Sequence, residues 1–94
     1  MQYQIQKIPL PKREHQWTLY GSNSCIASKS AQSILSNLRQ PYEFHDVREY
    51  GGAATVRDTL RSCTQGSPAR ATPYVFLGDV YIGGYDQICN YFGI

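Results

Sequence analysis

The stretch at residues 17–31, reading W-T-L-Y-G-S-N-S-C-I-A-S-K-S-A, constrains this chain more than any other. Trp17 and Leu19 fall on one face of a short run with the pattern of a buried strand. Gly21, Ser22, Asn23 and Ser24 break that run, and Cys25 stands where a helix begins. From there Ala27, Ala31, Ile34, Leu35 and Leu38 recur at steps of three and four, the apolar stripe of an amphipathic helix. A cysteine on the first turn of a helix, directly after a strand, meets free backbone N–H groups and the positive end of the helix dipole. Both favour a thiolate over a thiol. A thiolate so placed is a nucleophile.

The remaining segments follow from the same kind of pattern. Pro41 is expected to stop the helix, with Arg39 favourably near its C-terminal end. Residues 42–47 read as a second strand, so the strand of about 16–20, the helix and this run form a βαβ unit with a parallel pair. After Gly51-Gly52, residues Ala53, Val56, Leu60 and Cys63 again step by three and four, predicting a helix over 52–64. Residues 65–71, with Gly66 and Pro68, read as a loop. Strands at 74–77 and 80–82 flank Gly78-Asp79, a two-residue turn with glycine first, which signals a hairpin of the II′ kind. Gly83-Gly84 makes a tight turn, and Asp86 is placed to cap a last helix of about 85–92. The order β-α-β-α-β-β-α gives an α/β domain at 16–94, a small four-stranded mixed sheet with helices on both faces. Residues 1–15 form an N-terminal arm whose I-P-L-P segment (Ile8–Pro11) suits neither a helix interior nor a central strand. A packed edge and a flexible tail are both open for it.

Composition removes several classes of function. With 94 residues there is room for one core. The net charge of +2 is spread over scattered basic residues, so no phosphate-backbone footprint and no nucleic-acid partner is expected. No apolar run reaches the roughly 18 residues of a membrane helix, and the N-terminus lacks a charged-then-apolar signal pattern. A cytoplasmic protein without a membrane partner is the expectation. Cys25, Cys63 and Cys89 are odd in number and lack paired spacings, so three separate thiols are expected rather than a disulfide framework or a zinc site. His15 and His45 have no partner at ligand spacing and receive no metal or catalytic role.

This order of elements, with a cysteine heading the first helix, resembles the thioredoxin-fold plan, and within it the motifs resemble the glutaredoxin family. That family carries C-P-Y-C or C-x-x-S after its first strand, a T-V-P-type segment before its third, and G-G-x-D opening its last helix. The matching positions here are Cys25-Ile26-Ala27-Ser28, Ala71-Thr72-Pro73 and Gly83-Gly84-Tyr85-Asp86. The resemblance covers about residues 16–94, and the compact length and ending are similar to short phage and virus glutaredoxins. The departures are Ser28 for the second cysteine, Ile26 and Ala27 for the usual proline and aromatic, and Ser22 for a frequent lysine. The C-G-F-S motif of the cluster-carrying monothiol class is absent.

The resemblance implies a glutathione-dependent thiol–disulfide oxidoreductase of the monothiol type, acting as a monomer on glutathionylated or disulfide-bonded proteins, with glutathione as co-substrate. Cys25 would be the nucleophile. Its bland alternative is an inert small hydrophobe. Ser28 removes the resolving thiol, and its hydroxyl would donate to the thiolate unless it is a plain helix-surface residue. Pro73 would be a cis-proline that turns the backbone of Thr72 toward an extended peptide such as glutathione. Gly84, Tyr85 and Asp86 would take the γ-glutamyl carboxylate and ammonium at a helix N-terminus, with Asp86 an N-cap if only structural. Arg70 would bind the glycine carboxylate or stand as a solvated loop residue, and Lys29 is expected to face solvent. Cys63 and Cys89 are expected in the core. Two rival readings stay open. One is an iron–sulfur carrier, with two Cys25 thiolates and two glutathione thiolates holding a cluster. The other is a catalytically weak adaptor that keeps the groove for partner binding.

Overall fold

The structure, a computed structural model, describes residues 8–11, 16–61 and 72–94. Strand β1 (Trp17–Gly21) leads into helix α1 (Ile26–Asn37), then strand β2 (Tyr42–Asp46) and a 3-10 turn at Val47–Tyr50. Helix α2 (Ala53–Leu60), strands β3 (Tyr74–Leu77) and β4 (Val80–Gly83) and helix α3 (Tyr85–Phe92) complete the order. The sheet runs β2-β1-β3-β4, with β1 parallel to β2 and antiparallel to β3, and β3 antiparallel to β4. This is the expected α/β arrangement of a mixed sheet.

Two cores lie on opposite faces of the sheet because alternate strand residues point opposite ways. Trp17, Leu19 and Val75 meet Ala31 and Leu35 of α1 and Ile88 of α3 on one face. Tyr20, Tyr74 and Phe76 meet Val47, Val56 and Leu60 on the other, beneath α2. Trp17 and Leu19 are buried as expected, Val75 and Phe76 are buried as well, and Phe44 is half-buried against the first core. Ile8 packs against the second core, and the Tyr20 hydroxyl donates to the carbonyl of Pro9 at 2.6 Å. The described part of the arm therefore lies on the domain.

Some boundaries differ from expectation for local reasons. Helix α1 ends at Asn37, before Pro41 acts on it, in a Schellman motif. The N–H of Gln40 donates to Leu35 O at 2.8 Å and that of Arg39 to Ser36 O at 3.0 Å, with Arg39 at φ 56°. Helix α2 is expected through residue 64, but its α-helical span closes at Leu60, and Cys63 lies outside the described residues. The hairpin turn has positive φ at Gly78 (60°) and not at Asp79, the II′ pattern. Asp86 does not cap α3. The N-cap is Gly84, whose N–H is taken by Gln87 Oε1 at 2.8 Å, and Asp86 sits one residue inside the first turn, where its charge complements the dipole. Cys89 is half-buried rather than in the core, since Ile88 takes the inward position of α3.

Candidate active site

Cys25 is the N-cap of α1, one residue before the first-turn position expected. Its backbone is extended (φ −97°, ψ 122°), its carbonyl accepts the N–H of Lys29 at 3.1 Å, and its own N–H donates to Ser22 O at 3.0 Å. The extended N-cap backbone sets the sulfur at the N-terminus of the helix, where the nearby N–H groups of Ala27 and Ser28 help to lower its pKa.

Ser28 lies one turn on and is wholly buried, which overturns the helix-surface reading. The cause is a close approach of β1 and α1. A Cβ on Gly21 would lie 2.3 Å from Ser28 Oγ and 3.2 Å from Phe44 Cε1, so only glycine lets the strand end run under the helix. The hydroxyl of Ser28 accepts the N–H of Ser22 at 3.1 Å and hydrogen-bonds Cys25. It thus ties the Ser22–Ser24 loop to the helix. On the other side, Asp46 at the end of β2 accepts from the backbone N–H of Asn23. The adjacent N–H groups of Ser22 and Asn23 in the loop before Cys25 are therefore both held.

From across the sheet comes Thr72, 47 residues away in sequence. Its hydroxyl donates to Cys25 Sγ at 3.4 Å, and the thiol form of Cys25 donates to Thr72 O at 3.8 Å. The Thr72–Pro73 peptide is cis. Together these lower the Cys25 pKa from 9.0 to about 7: the Thr72 hydroxyl acts most, burial opposes it, and Ser28 and the N–H groups of Ser28 and Ala27 add to the lowering. A thiol so shifted is about half thiolate near neutral pH.

Gly83 and Gly84 bring the head of α3 to the same place. Gly83 has φ 131°, and a Cβ there would lie 2.6 Å from Gln87 Cγ, so both backbone and space require glycine. A Cβ on Gly84 would sit 3.5 Å from the carbonyl of Pro73, a direct measure of how near the turn runs to the proline. Tyr85 is half-buried against the first core, and its hydrogen bond with Cys89 one turn on raises its pKa. Asp86 is exposed. The structure thus brings Cys25, Ser28, Thr72, Pro73 and Gly84 into one locality, with Tyr85 and Asp86 following on α3. Arg70 lies outside the described residues. Lys29 is exposed, and Ile26, next to Cys25, is 82% exposed.

Two features escaped the sequence reading. One is the Thr72 side chain, singled out there only for its backbone. The other is Arg57, whose Nε is buried and has no partner among the described residues. Its charge acts on the buried, likewise unpartnered hydroxyl of Tyr74, the residue after Pro73. A lone arginine on a helix carries no sequence signal for such a place. Among the described residues no three His, Cys, Asp or Glu side chains gather as metal ligands, and no helix is long and apolar enough to cross a membrane.

No protein-family model matches the chain. Glutaredoxin-1 of Vaccinia virus (strain Copenhagen) is 30% identical over 74 residues, covering 76% of this chain and 66% of the relative. Glutaredoxin-1 of Monkeypox virus aligns with the same identity and coverage. The chain thus spans about two-thirds (66%) of the length of the curated relatives it matches. Among solved structures, reduced glutaredoxin of Escherichia coli superposes with a TM-score of 0.66 at 25% identity, covering 83% of this chain and 93% of that one. A buckwheat glutaredoxin–glutathione complex has a TM-score of 0.70 over 82% of this chain and 67% of its own, at 18% identity, a likeness of fold.

Proposed function

The chain belongs to the glutaredoxin family of thiol–disulfide oxidoreductases, and from that premise we propose that it is a glutathione-dependent enzyme working through Cys25 alone. One observation carries this reading. Among the described residues the only cysteine at the site is an N-cap thiol, drawn down to about 7 by hydroxyl and backbone donors, with a buried serine where a resolving thiol would stand.

The Cys25 thiolate attacks the glutathione sulfur of a protein mixed disulfide. A Cys25–glutathione disulfide forms, the original S–S bond breaks, and the protein leaves as a thiolate that takes up a proton. The thiolate of a second glutathione then attacks the bound glutathione sulfur, giving oxidised glutathione and free Cys25 thiolate. This route requires one cysteine and one chain. Ser28 holds the thiolate and offers no internal disulfide. The backbone of Thr72 pairs with the cysteinyl part of glutathione beside Pro73. The γ-glutamyl carboxylate sits at the N-terminus of α3 near Gly84, Tyr85 and Asp86, where first-turn N–H groups point outward. Gln87 already occupies the Gly84 N–H, which leaves the task to N–H groups further along the turn. Asp86 accepts from the ammonium, and Arg70 takes the glycine carboxylate. A cytoplasmic setting, with its reduced glutathione pool, fits this cycle.

The test is turnover of a glutathionylated peptide with glutathione, glutathione reductase and NADPH, in wild type, Cys25→Ser and Ser28→Cys. Turnover that Cys25→Ser abolishes and Ser28→Cys retains is expected. A wild type without turnover would overturn the enzyme reading.

A further inference from the structure

We infer that the side-chain hydroxyl of Thr72 is a catalytic group, the principal hydrogen-bond donor that holds Cys25 as a thiolate. The inference deepens the reading of Cys25 as nucleophile and rests on it, but it assigns a role to a side chain that the reading uses only for its backbone.

The argument begins with position. Thr72 Oγ1 lies 3.4 Å from Cys25 Sγ, within hydrogen-bond range for sulfur, and the two residues are brought together by the sheet rather than by chain proximity. The T-V-P pattern has an aliphatic side chain immediately before the proline, which has no proton to give. Here that place is held by a hydroxyl. Threonine is β-branched, so its χ1 has few wells, and a hydroxyl aimed at the sulfur loses little freedom when it makes the bond.

The same residue faces both protonation states. Its carbonyl accepts from the thiol at 3.8 Å, a long contact, while its hydroxyl donates to the sulfur at 3.4 Å. A hydrogen bond to a charged acceptor is stronger than one between neutral groups, so the pair as a whole favours the thiolate. Ser28 is the other hydroxyl at the sulfur, but its oxygen also holds the Ser22 N–H and is committed to the loop. Thr72 is the leading cause of the lowered Cys25 pKa, ahead of Ser28 and of the helix N–H groups. Charged groups on the surrounding described elements include Lys29 on α1, Asp46 at the end of β2, Arg48 just after it, and Asp86 on α3. None of them figures among the causes of that shift.

Thr72→Val keeps the branched shape and the backbone while deleting the donor. The readout is the rate of Cys25 alkylation by iodoacetamide from pH 5.5 to 9.5, followed by mass spectrometry of the Cys25 peptide so that Cys63 and Cys89 do not interfere. If the pKa rises by about one unit, the thiolate fraction at pH 6 falls nearly tenfold. A thiolate of higher pKa is also the stronger nucleophile, by about threefold per unit. The expected variant is therefore about threefold slower at pH 6 and about threefold faster at pH 9.5, two profiles that cross. Thr72→Ser restores the wild-type profile. Superimposable profiles, or uniform slowing at every pH, would overturn the assignment, the second because it reports lost geometry rather than a lost proton donor. The assay contains no glutathione, so a failure of the turnover experiment above and a failure of this inference are read separately.

Discussion

At the scale of single residues, the loop before Cys25 is held from the end of β2 by Asp46. The Asp46 carboxylate is buried and accepts from the Arg48 N–H at 2.9 Å, Arg48 Nε at 3.1 Å and Nη2 at 2.9 Å, and from the N–H of Asn23. These bonds, the Arg48 guanidinium first, lower its pKa from 3.8 to about 2. A carboxyl lowered by folding contributes stability that is complete above its ordinary value and is lost as pH falls through its folded value. Asp46→Asn should therefore destabilise by about 1–2 kcal/mol at pH 7, the guanidinium being water-exposed and its contribution screened. The gap to wild type should narrow as pH falls from about 4 to 2, read by urea denaturation across that range. A gap independent of pH would mean that Asp46 acts by packing alone. Cys25 was legible from its neighbours, because a strand, a polar break and an apolar stripe are all local patterns. The burial of Ser28 was not, since it follows from the bare Cα of Gly21 meeting α1 across the strand end.

At the scale of elements, periodicity located the four strands and three α-helices of the described residues, and chemistry at the ends set their limits. The strands at 74–77 and the helix at 85–92 match expectation. Helix α1 stops earlier than Pro41 requires, and it does so with an arginine in a left-handed conformation that a Cβ disfavours. Arg39→Gly should relieve that cost while keeping both Schellman hydrogen bonds, raising stability by about 0.5–1 kcal/mol and Tm by a few degrees in calorimetry. An unchanged or lower Tm would show that the Arg39 side chain contributes interactions outweighing the strain. The capping of α3 turned on the same kind of detail. The sequence pointed to Asp86 as the cap, and only the approach of the Gln87 side chain to the Gly84 N–H shows which residue takes that place.

For the whole molecule, one sheet separates two cores among the described residues, and the described part of the arm packs on the second of them. The Tyr20 ring is buried, stacks on His45 at 5.4 Å and carries the hydroxyl bonded to Pro9. Tyr20→Phe keeps the ring and removes that bond, so it should lower stability by about 1 kcal/mol and speed amide exchange at residues 8 and 10 while leaving Cys25 alkylation unchanged. Unaltered exchange would mean that Ile8 packing alone holds the arm. Read alone, the chain already carried its α/β class, the order of its elements and a cysteine at the head of the first helix. Alternation at period two and recurrence at three and four are written in consecutive residues, and so is a thiol between a strand and a helix. Tertiary structure decided what surrounds the sulfur. Thr72 reaches it from 47 residues away, Ser28 is buried beneath a glycine, and Gly84 comes up beside Pro73. Each of these depends on how strands β1 and β3 pair and how closely helices settle on them, distances that no local pattern of side chains encodes.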